Sequence, residues 1–285
     1  MKVGIITTKE APSLKILREE LELRGHEMFL LSDLRIDTLE YHRGLIDTLD
    51  VIYYWCGMSF FERFVIHKEI SALSKAVFLD SAIFENTLIG NKIYQSYIVS
   101  ATEIRVPETI SVRGCKHEDI VKKIGLPYVI KKTEDSLRGS GVCLVKGVED
   151  FERFTAVHNK KDEILSQELI PYDEDYRVYV VGGNAVCAYR RVPVQGEFRA
   201  NIALGGHGEK INDEKLLISL YKTAEQITQM FNGADIVGVD IVRHKDTKEL
   251  FFIEINLGPG IKEPKKVTGI NIAGLIVDYF EEKSI

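Results

Sequence analysis

The run from Gly238 to Asn256, GVDIVRHKDTKELFFIEIN, confines the fold more than any other stretch of this chain. Two β-rich segments flank the polar turn HKDTK, a pattern that predicts a hairpin. A symmetric hairpin centred on Thr247 sets Asp240 directly opposite Glu254, each among apolar neighbours. Like charges facing each other across a sheet repel, and burial makes each ionised carboxylate costly. The pair therefore demands a compensating cation. Asn256 follows Glu254 by two residues and shares its face. Two carboxylates and an amide carbonyl form an all-oxygen set suited to Mg²⁺. A one-residue slip of register would instead turn the acids to solvent.

Upstream, the first third alternates strand and helix. VGIIT (Val3 to Thr7), MFLL (Met28 to Leu31), VIYYW (Val51 to Trp55) and VFLD (Val77 to Asp80) carry buried-strand patterns. Between the first two, Ser13 is the expected N-cap of a helix with Leu14, Leu17 and Leu21 on one face, and Gly25 stops it. Another helix is expected over Glu62 to Ala72. This rhythm predicts a small parallel α/β unit over residues 1–95. It lacks a GxGxxG fingerprint, so no dinucleotide site is expected there. Beyond Ile104 the pattern changes to hairpins, with TISV, YVIKK, VCLV and ILSQELI as strands. RVYVV-GGN-AVCAYRR is expected to turn at Gly182, Gly183 and Asn184. Helices follow at about 213–231 and at 272–281. Residues 96–166 and 167–285 are expected to form two further units.

At 285 residues the chain is long enough for a sizeable core without staples. Thirty-seven Lys and Arg against 43 Asp and Glu leave a net charge of −6, which gives no global footprint for nucleic acid. The apolar runs are strand-sized, which argues against a membrane span. The start, MKVGIITTKE, has too short an apolar stretch for a signal peptide, so a cytoplasmic location is expected. Cys56, Cys115, Cys143 and Cys187 form no CxxC pair, and the seven histidines are scattered. Reduced thiols and an oxygen-bound rather than a zinc-type metal follow.

A second chemical signal is K-x₅-LRGSG-V, residues 131–142, between two expected strands. Gly139, Ser140 and Gly141 are able to turn backbone N–H groups toward an anion, and Lys131 adds a point charge. A plain turn fits the same residues. Arg190, Arg191 and Arg199 supply further positive charge, or else form a solvated strand end.

The run SQELIPYDEDYRVYVVGGNAVCAYRR…GEFRANIALGG, followed by GVD…IEINLGPG…VTGINIAG, resembles the ATP-grasp ligases. It is similar to their branch containing the ribosomal-protein glutamate ligase RimK, the LysX ligases of lysine biosynthesis and the glutamate ligases of archaeal coenzymes. The likeness spans Asn91 to the C-terminus. It implies the ATP-grasp fold: an N-terminal parallel α/β domain, a central α+β lobe and a C-terminal antiparallel-sheet lobe, with nucleotide between the last two. It implies that Lys92 and Lys131 hold ATP phosphates, with Gly139, Ser140 and Gly141 in the phosphate loop. Glu168 and Leu169 match the strand where adenine is read, Asp175 matches a nucleotide contact, and Arg199, Ala200 and Asn201 match a nucleotide segment. Asp240, Glu254 and Asn256 match the ligands of Mg²⁺, for which Mn²⁺ substitutes, with two ions expected. Arg191, Lys131 and Arg199 match the basic positions around the transferred phosphate. Two departures are the longer glycine loop with Leu137 and Arg138, and Leu169 in place of an aromatic residue.

The implied activity is an ATP-dependent carboxylate–amine ligation through an acyl phosphate, releasing ADP and phosphate. L-Glutamate is the expected added amino acid. The acceptor would be a small molecule or an acidic protein, met by the first domain and the loop from Gly258 to Thr268, whose Lys262, Lys265 and Lys266 either meet an acidic partner or form a solvated lysine loop. A LysX-type ligase acting on a carrier protein is the alternative enzyme, and an ATP-binding regulatory module without catalysis is the alternative class. A homo-oligomer follows from the same likeness, with no nucleic-acid or membrane partner.

Overall fold

The first strand, β1 (Lys2–Thr7), is buried almost throughout, as its unbroken VGIIT core requires of a parallel strand covered on both faces. It leads through helix α1 (Pro12–Leu23), β2 (Glu27–Leu31), α2 (Leu39–Ile46), β3 (Val51–Cys56) and α3 (Phe60–Leu73) to β4 (Val77–Leu79). The four strands form a parallel sheet in the order β2-β1-β3-β4. The structure, a computed structural model, describes residues 1–7, 11–31, 38–56, 60–82, 88–133, 141–158, 163–194, 205–232 and 234–284. Helix α1 begins two residues earlier than an N-cap at Ser13 would set it. Its N-cap is Ala11 with Pro12 at the first helical position, where the missing N–H costs nothing and φ is already helical. Ser13 lies inside the first turn, and its Oγ accepts from the Ile261 N–H at 3.3 Å.

A second sheet follows α4 (Lys92–Ser100): β5 (Thr109–Ser111), α5 (His117–Ile124), β6 (Tyr128–Lys132), β7 (Val142–Val145), α6 (Val148–Val157) and β8 (Ile164–Glu168). Its strands are antiparallel in the order β5-β8-β6-β7. On one face Ile120, Tyr128, Ile130, Val145 and Phe154 make a small core. Strand alternation therefore turns Lys131 to the opposite face.

The third sheet contains β9 (Tyr172–Val181), β10 (Asn184–Val192), β11 (His207–Glu209), β12 (Ile236–His244) and β13 (Leu250–Leu257). All its pairings are antiparallel, in the order β11-β10-β9-β12-β13. The β9–β10 turn is Gly182-Gly183, with φ of 58° and 80°, and Asn184 already belongs to β10. Two successive positive φ angles fit a type I′ turn. Helix α7 (Glu214–Gln229) covers one face of the sheet with Leu220, Ala224 and Ile227, against Val178, Val180, Val237 and Val239. The expected loop after β13 contains a short helix instead, α8 (Lys262–Thr268), on which Lys262, Lys265 and Lys266 are exposed.

The last helix, α9 (Ile272–Lys283), returns to the first sheet. Phe280 packs on Tyr53 with centroids 5.5 Å apart, and Arg24 of α1 bonds to Asp278, Glu281 and the Gly274 carbonyl. Gly258, at φ 58°, lies so close to the Trp55 carbonyl that an added Cβ would sit 2.1 Å from its oxygen. The segment leaving β13 is thus pressed against the end of β3. None of the described helices is long and apolar enough to cross a membrane.

Candidate active site

Strand β9 supplies the axis of the site. Tyr176, Val178 and Val180 face α7, so Asp175, Arg177 and Tyr179 face the other way. Tyr179 packs toward the first sheet, while Asp175 and Arg177 continue the same face as a charged stripe. Register extends the stripe across the sheet: Asp175 pairs with Arg191, Arg177 with Asp240, and Asp240 with Glu254.

The opposition of Asp240 and Glu254 depends on a β-bulge. Nearer the turn Ile241 pairs with Phe252, so the unbulged register would set Asp240 against Ile253. The bulge skips Ile253 and brings Glu254 opposite Asp240, with Gly238 opposite Asn256. Asn256 Nδ2 donates to both acids, at 3.2 Å to Glu254 Oε1 and 3.4 Å to Asp240 Oδ2. The three side chains of the predicted metal set therefore meet at one place. Among the described residues no group of three or more His, Cys, Asp or Glu is placed for a metal. This set has two carboxylates completed by an amide.

The compensation that two facing acids require is supplied by the protein itself. Arg177 grips Asp240 through Nε and through Nη2 at 2.9 Å, and Arg191 Nη1 adds a bond of 3.1 Å. Arg191 Nε also donates to Asp175 at 2.7 Å. Lys92 Nζ stands 3.6 Å from Glu254 Oε2. Lys131 Nζ, brought in by the second sheet, donates to Gln167 Oε1 at 2.6 Å, and Gln167 is held in turn by Thr109 Oγ1 at 3.0 Å. The like-charge argument thus finds the right pair, while the cations that answer it are four side chains.

Glu254, Lys131, Asp175 and Arg191 carry the mark of this crowding. Burial alone would raise the Glu254 carboxyl, but Lys92, Lys131 and Arg177 override it and hold the group at about 2. Burial pushes the Lys131 ammonium down to about 8, with Glu254 opposing the shift and Lys92 reinforcing it. Burial likewise lifts Asp175 to about 6, against the pull of Arg191 and with a push from Asp240. Burial opposes the charge on Arg191, yet Asp175 and Asp240 raise its pKa above the ordinary guanidinium value.

Lys92 owes its position to Asn91, the N-cap of α4. Asn91 Oδ1 accepts from the Ile93 and Tyr94 N–H groups at 3.0 and 3.2 Å, and its Nδ2 donates to Glu163 at 3.0 Å. Lys92 N–H donates to the Thr133 carbonyl at 3.1 Å, which ties the helix start to the end of β6. Glu168 and Leu169 lie where β8 gives way to the link toward β9, and the Glu168 N–H donates to the Glu108 carbonyl at 2.9 Å. Gly141 is buried at the start of β7, its carbonyl accepting from Lys132 N–H at 2.9 Å. Gly139, Ser140, Arg199, Ala200 and Asn201 lie outside the described residues. Arg190 sits apart from the cluster at the exposed end of β10, 3.7 Å from Glu209.

Sequence reasoning missed Arg177 and Gln167. Arg177 had a legible signal: it stands two residues after Asp175 in an apolar alternation, so it shares that face. The glycine of the GVD motif is explained by it. A Cβ on Gly238 would meet Arg177 Cδ and Nη1 at 3.0 Å and Pro259 Cβ at 3.1 Å, so only a bare backbone leaves the guanidinium its place.

A family model described as a RimK-like ATP-grasp domain matches residues 90–280, beginning just ahead of Asn91 and Lys92. The chain belongs to the RimK-like ATP-grasp family. It is therefore an ATP-dependent ligase, of the ADP-forming class that makes carbon–nitrogen bonds. Curated relatives extend the likeness to the N-terminal sheet. A protein of Teredinibacter turnerae named "Probable alpha-L-glutamate ligase" is 26% identical over 304 residues, covering 100% of this chain and 96% of its own. One of the same name from Rhodopirellula baltica is 32% identical over 197 residues, covering 66% of this chain and 46% of its own. Among solved structures, a RimK domain ATP-grasp protein from Sphaerobacter thermophilus aligns at a TM-score of 0.70 and 19% identity, over 99% of this chain and 100% of its own. A D-alanine–D-alanine ligase from Bacillus anthracis, complexed with ATP, aligns at 0.74 and 16%, over 100% and 97%. These two establish that the RimK-like chain has the ATP-grasp fold.

Proposed function

We propose that this RimK-like protein joins an amino acid, L-glutamate by the names of its relatives, to a carboxylate-bearing acceptor. The observation that carries the reading is the convergence of Lys92, Lys131, Arg177 and Arg191 on Asp240, Glu254 and Asn256, from two sheets and helix α4. Four cations face three anions, counting Asp175, so the cluster keeps one positive charge in excess. Such a site suits a polyphosphate bound with a divalent cation.

The residues fit Mg²⁺. Asp240, Glu254 and Asn256 offer oxygen donors, Glu254 is held ionised at neutral pH, and nothing sulfur-bearing intrudes among the described partners. When bound, the ion would neutralise phosphate oxygens as their charge shifts. Lys131 and Lys92 hold the terminal phosphates in this reading. Arg191 and Arg177 stabilise the charge that develops when a substrate carboxylate oxygen attacks the γ-phosphorus and ADP departs. The amine then attacks the acyl carbon and phosphate leaves, forming the amide. Residues 96–166 and 167–285 act as two lobes closing on nucleotide, with Glu168 and Leu169 beside the base. The exposed lysines of α8 would meet an acidic acceptor.

The test is trapping. Purified protein, Mg·ATP, a panel of carboxylates and hydroxylamine should yield ADP and a hydroxamate in equal amounts. AMP as the nucleotide product would refute the acyl-phosphate route. Nucleotide binding without turnover across the panel would favour a regulatory module.

A further inference from the structure

Strand β13 is the edge of its sheet, and among the described residues its outward side meets only an isolated bridge between Phe251 and Arg105. The Phe252 N–H finds the Arg105 carbonyl at 2.9 Å. The next outward residue that is met, Ile255, lies between Glu254 and Asn256, and a side chain serves it. Gln95 Oε1 accepts from the Ile255 N–H at 3.0 Å, and its Nε2 donates back to the Ile255 carbonyl at 3.1 Å. The second Nε2 hydrogen goes to the Ile89 carbonyl at 2.6 Å. Gln95 is 2% exposed, and its amide is fully engaged. It acts as one peptide unit of a missing strand.

The placement of this clamp matters because of what each side carries. Gln95 lies one helical turn after Lys92 on α4, whose Nζ faces Glu254 at 3.6 Å. Across the clamp, Glu254 and Asn256 flank Ile255. The third bond holds the segment that leads into Asn91 and Lys92. One amide therefore joins the helix bearing a phosphate lysine to the strand bearing two candidate metal ligands.

We propose that Gln95 is a positioning residue: its amide fixes the register of α4 against β13, and so sets Lys92 Nζ relative to the Glu254 and Asn256 side chains. This rests on the reading of those residues as the metal and phosphate end of the site. A hydrocarbon in place of the amide leaves Ile255 N–H and carbonyl unpaired in a buried setting. The strand then relaxes away from the helix, and the donors lose their spacing.

Gln95→Met keeps the length and removes all three bonds, while Gln95→Glu keeps only the acceptor for Ile255 N–H. Mn²⁺ affinity in the presence of ADP, read by electron paramagnetic resonance without turnover, is expected to weaken about 10- to 100-fold in Gln95→Met, the range for losing a residue that orients metal ligands. Gln95→Glu should fall between it and the parent. Amide exchange in the metal-free protein should quicken at residues 254–256. Ile46→Ala, in the core of the first sheet, is the control for general destabilisation and should leave Mn²⁺ affinity unchanged. If Gln95→Met fails to fold, Gln95→Glu carries the decision. Parent-like Mn²⁺ affinity in a folded Gln95 variant overturns the inference alone. A parent protein that binds no Mn·ADP overturns the functional reading beneath it.

Discussion

Lys131 is expected to take up a proton when nucleotide binds. Its ammonium is held at about 8, where an ordinary lysine sits at 10.5, chiefly because burial strips its hydration. A polyphosphate against Nζ restores a strong counter-charge and returns the group to at least its ordinary value. At pH 9 the free site is then protonated in roughly one molecule in eleven and the bound site in nearly all, so binding takes up about 0.9 proton. At pH 7 the uptake is only about 0.1. The same linkage weakens binding about tenfold from pH 7 to pH 9. Titration calorimetry with a non-hydrolysable ATP analogue, in buffers of different ionisation enthalpy, measures the uptake directly. The phosphate itself does not interfere, because its second ionisation near 6 is complete above pH 8. Lys131→Met should bind more weakly at pH 7 and abolish the uptake at pH 9. Uptake near zero in the parent at pH 9, or equal uptake in Lys131→Met, would show that phosphate does not reach this lysine.

The stability of the free protein carries related signatures. Lys131 binds its proton less tightly folded than unfolded, so the unfolded chain holds more protons between about 8 and 10.5 and stability rises with pH across that window. Denaturant midpoints at pH 8 and 10 check this against Lys131→Met. Glu254, at about 2 against 4.5 unfolded, contributes stability that is full above 4.5 and lost as pH falls toward 2; Glu254→Gln should flatten that acid limb. Asp240→Asn is expected to abolish turnover and to destabilise the fold by about 3 kcal/mol, since it breaks a buried pair with Arg177 and Arg191; an unchanged midpoint would refute the arginine clamp. Gly238→Ala should cost about 1 kcal/mol in thermal melts and lower kcat by more than that loss explains, because the new methyl displaces Arg177.

The Asp240→Asn expectation reverses what the hairpin suggests when read alone, and the reason shows how far the sequence reaches. Alternation and a polar turn identify two buried acids on one face, and the two do face each other. The pairing is reached by a bulge at Ile253, though, which no local pattern in KELFFIEIN announces. From the like charges alone, removing one acid relieves repulsion. In the folded chain the partners come from β9, β10, β6 and α4, and their contacts are set by sheet order and crossing chains. Arg177 was within reach of a period-two argument. Gln95 was not, since nothing in KIYQSYIVS marks one glutamine as facing a strand some 160 residues later. Helix α1 shows the converse: Pro12 outweighed Ser13 through backbone geometry that is legible beforehand.

Pre-formed compensation also bears on how the site tolerates its own charge between turnovers. Three carboxylates left bare under a low-dielectric face would have to take up protons. Arg177 and Arg191 instead keep Asp240 bonded, and Lys92 with Lys131 keeps Glu254 ionised. Incoming phosphate competes with these acids for the same cations, and an incoming divalent ion competes with the same cations for the acids. Each partner frees groups that the other uses. The two should therefore bind with positive coupling. Nucleotide without metal must strip Lys92 and Lys131 from Glu254, whereas metal beside it takes over that carboxylate. Mn²⁺ affinity measured with and without ADP is expected to differ at least tenfold, and Lys92→Met should shrink the difference while leaving Mn²⁺ binding alone no weaker. Independent binding of the two, with equal affinities in both orders, would show that the cations over Glu254 do not act as its exchangeable partners.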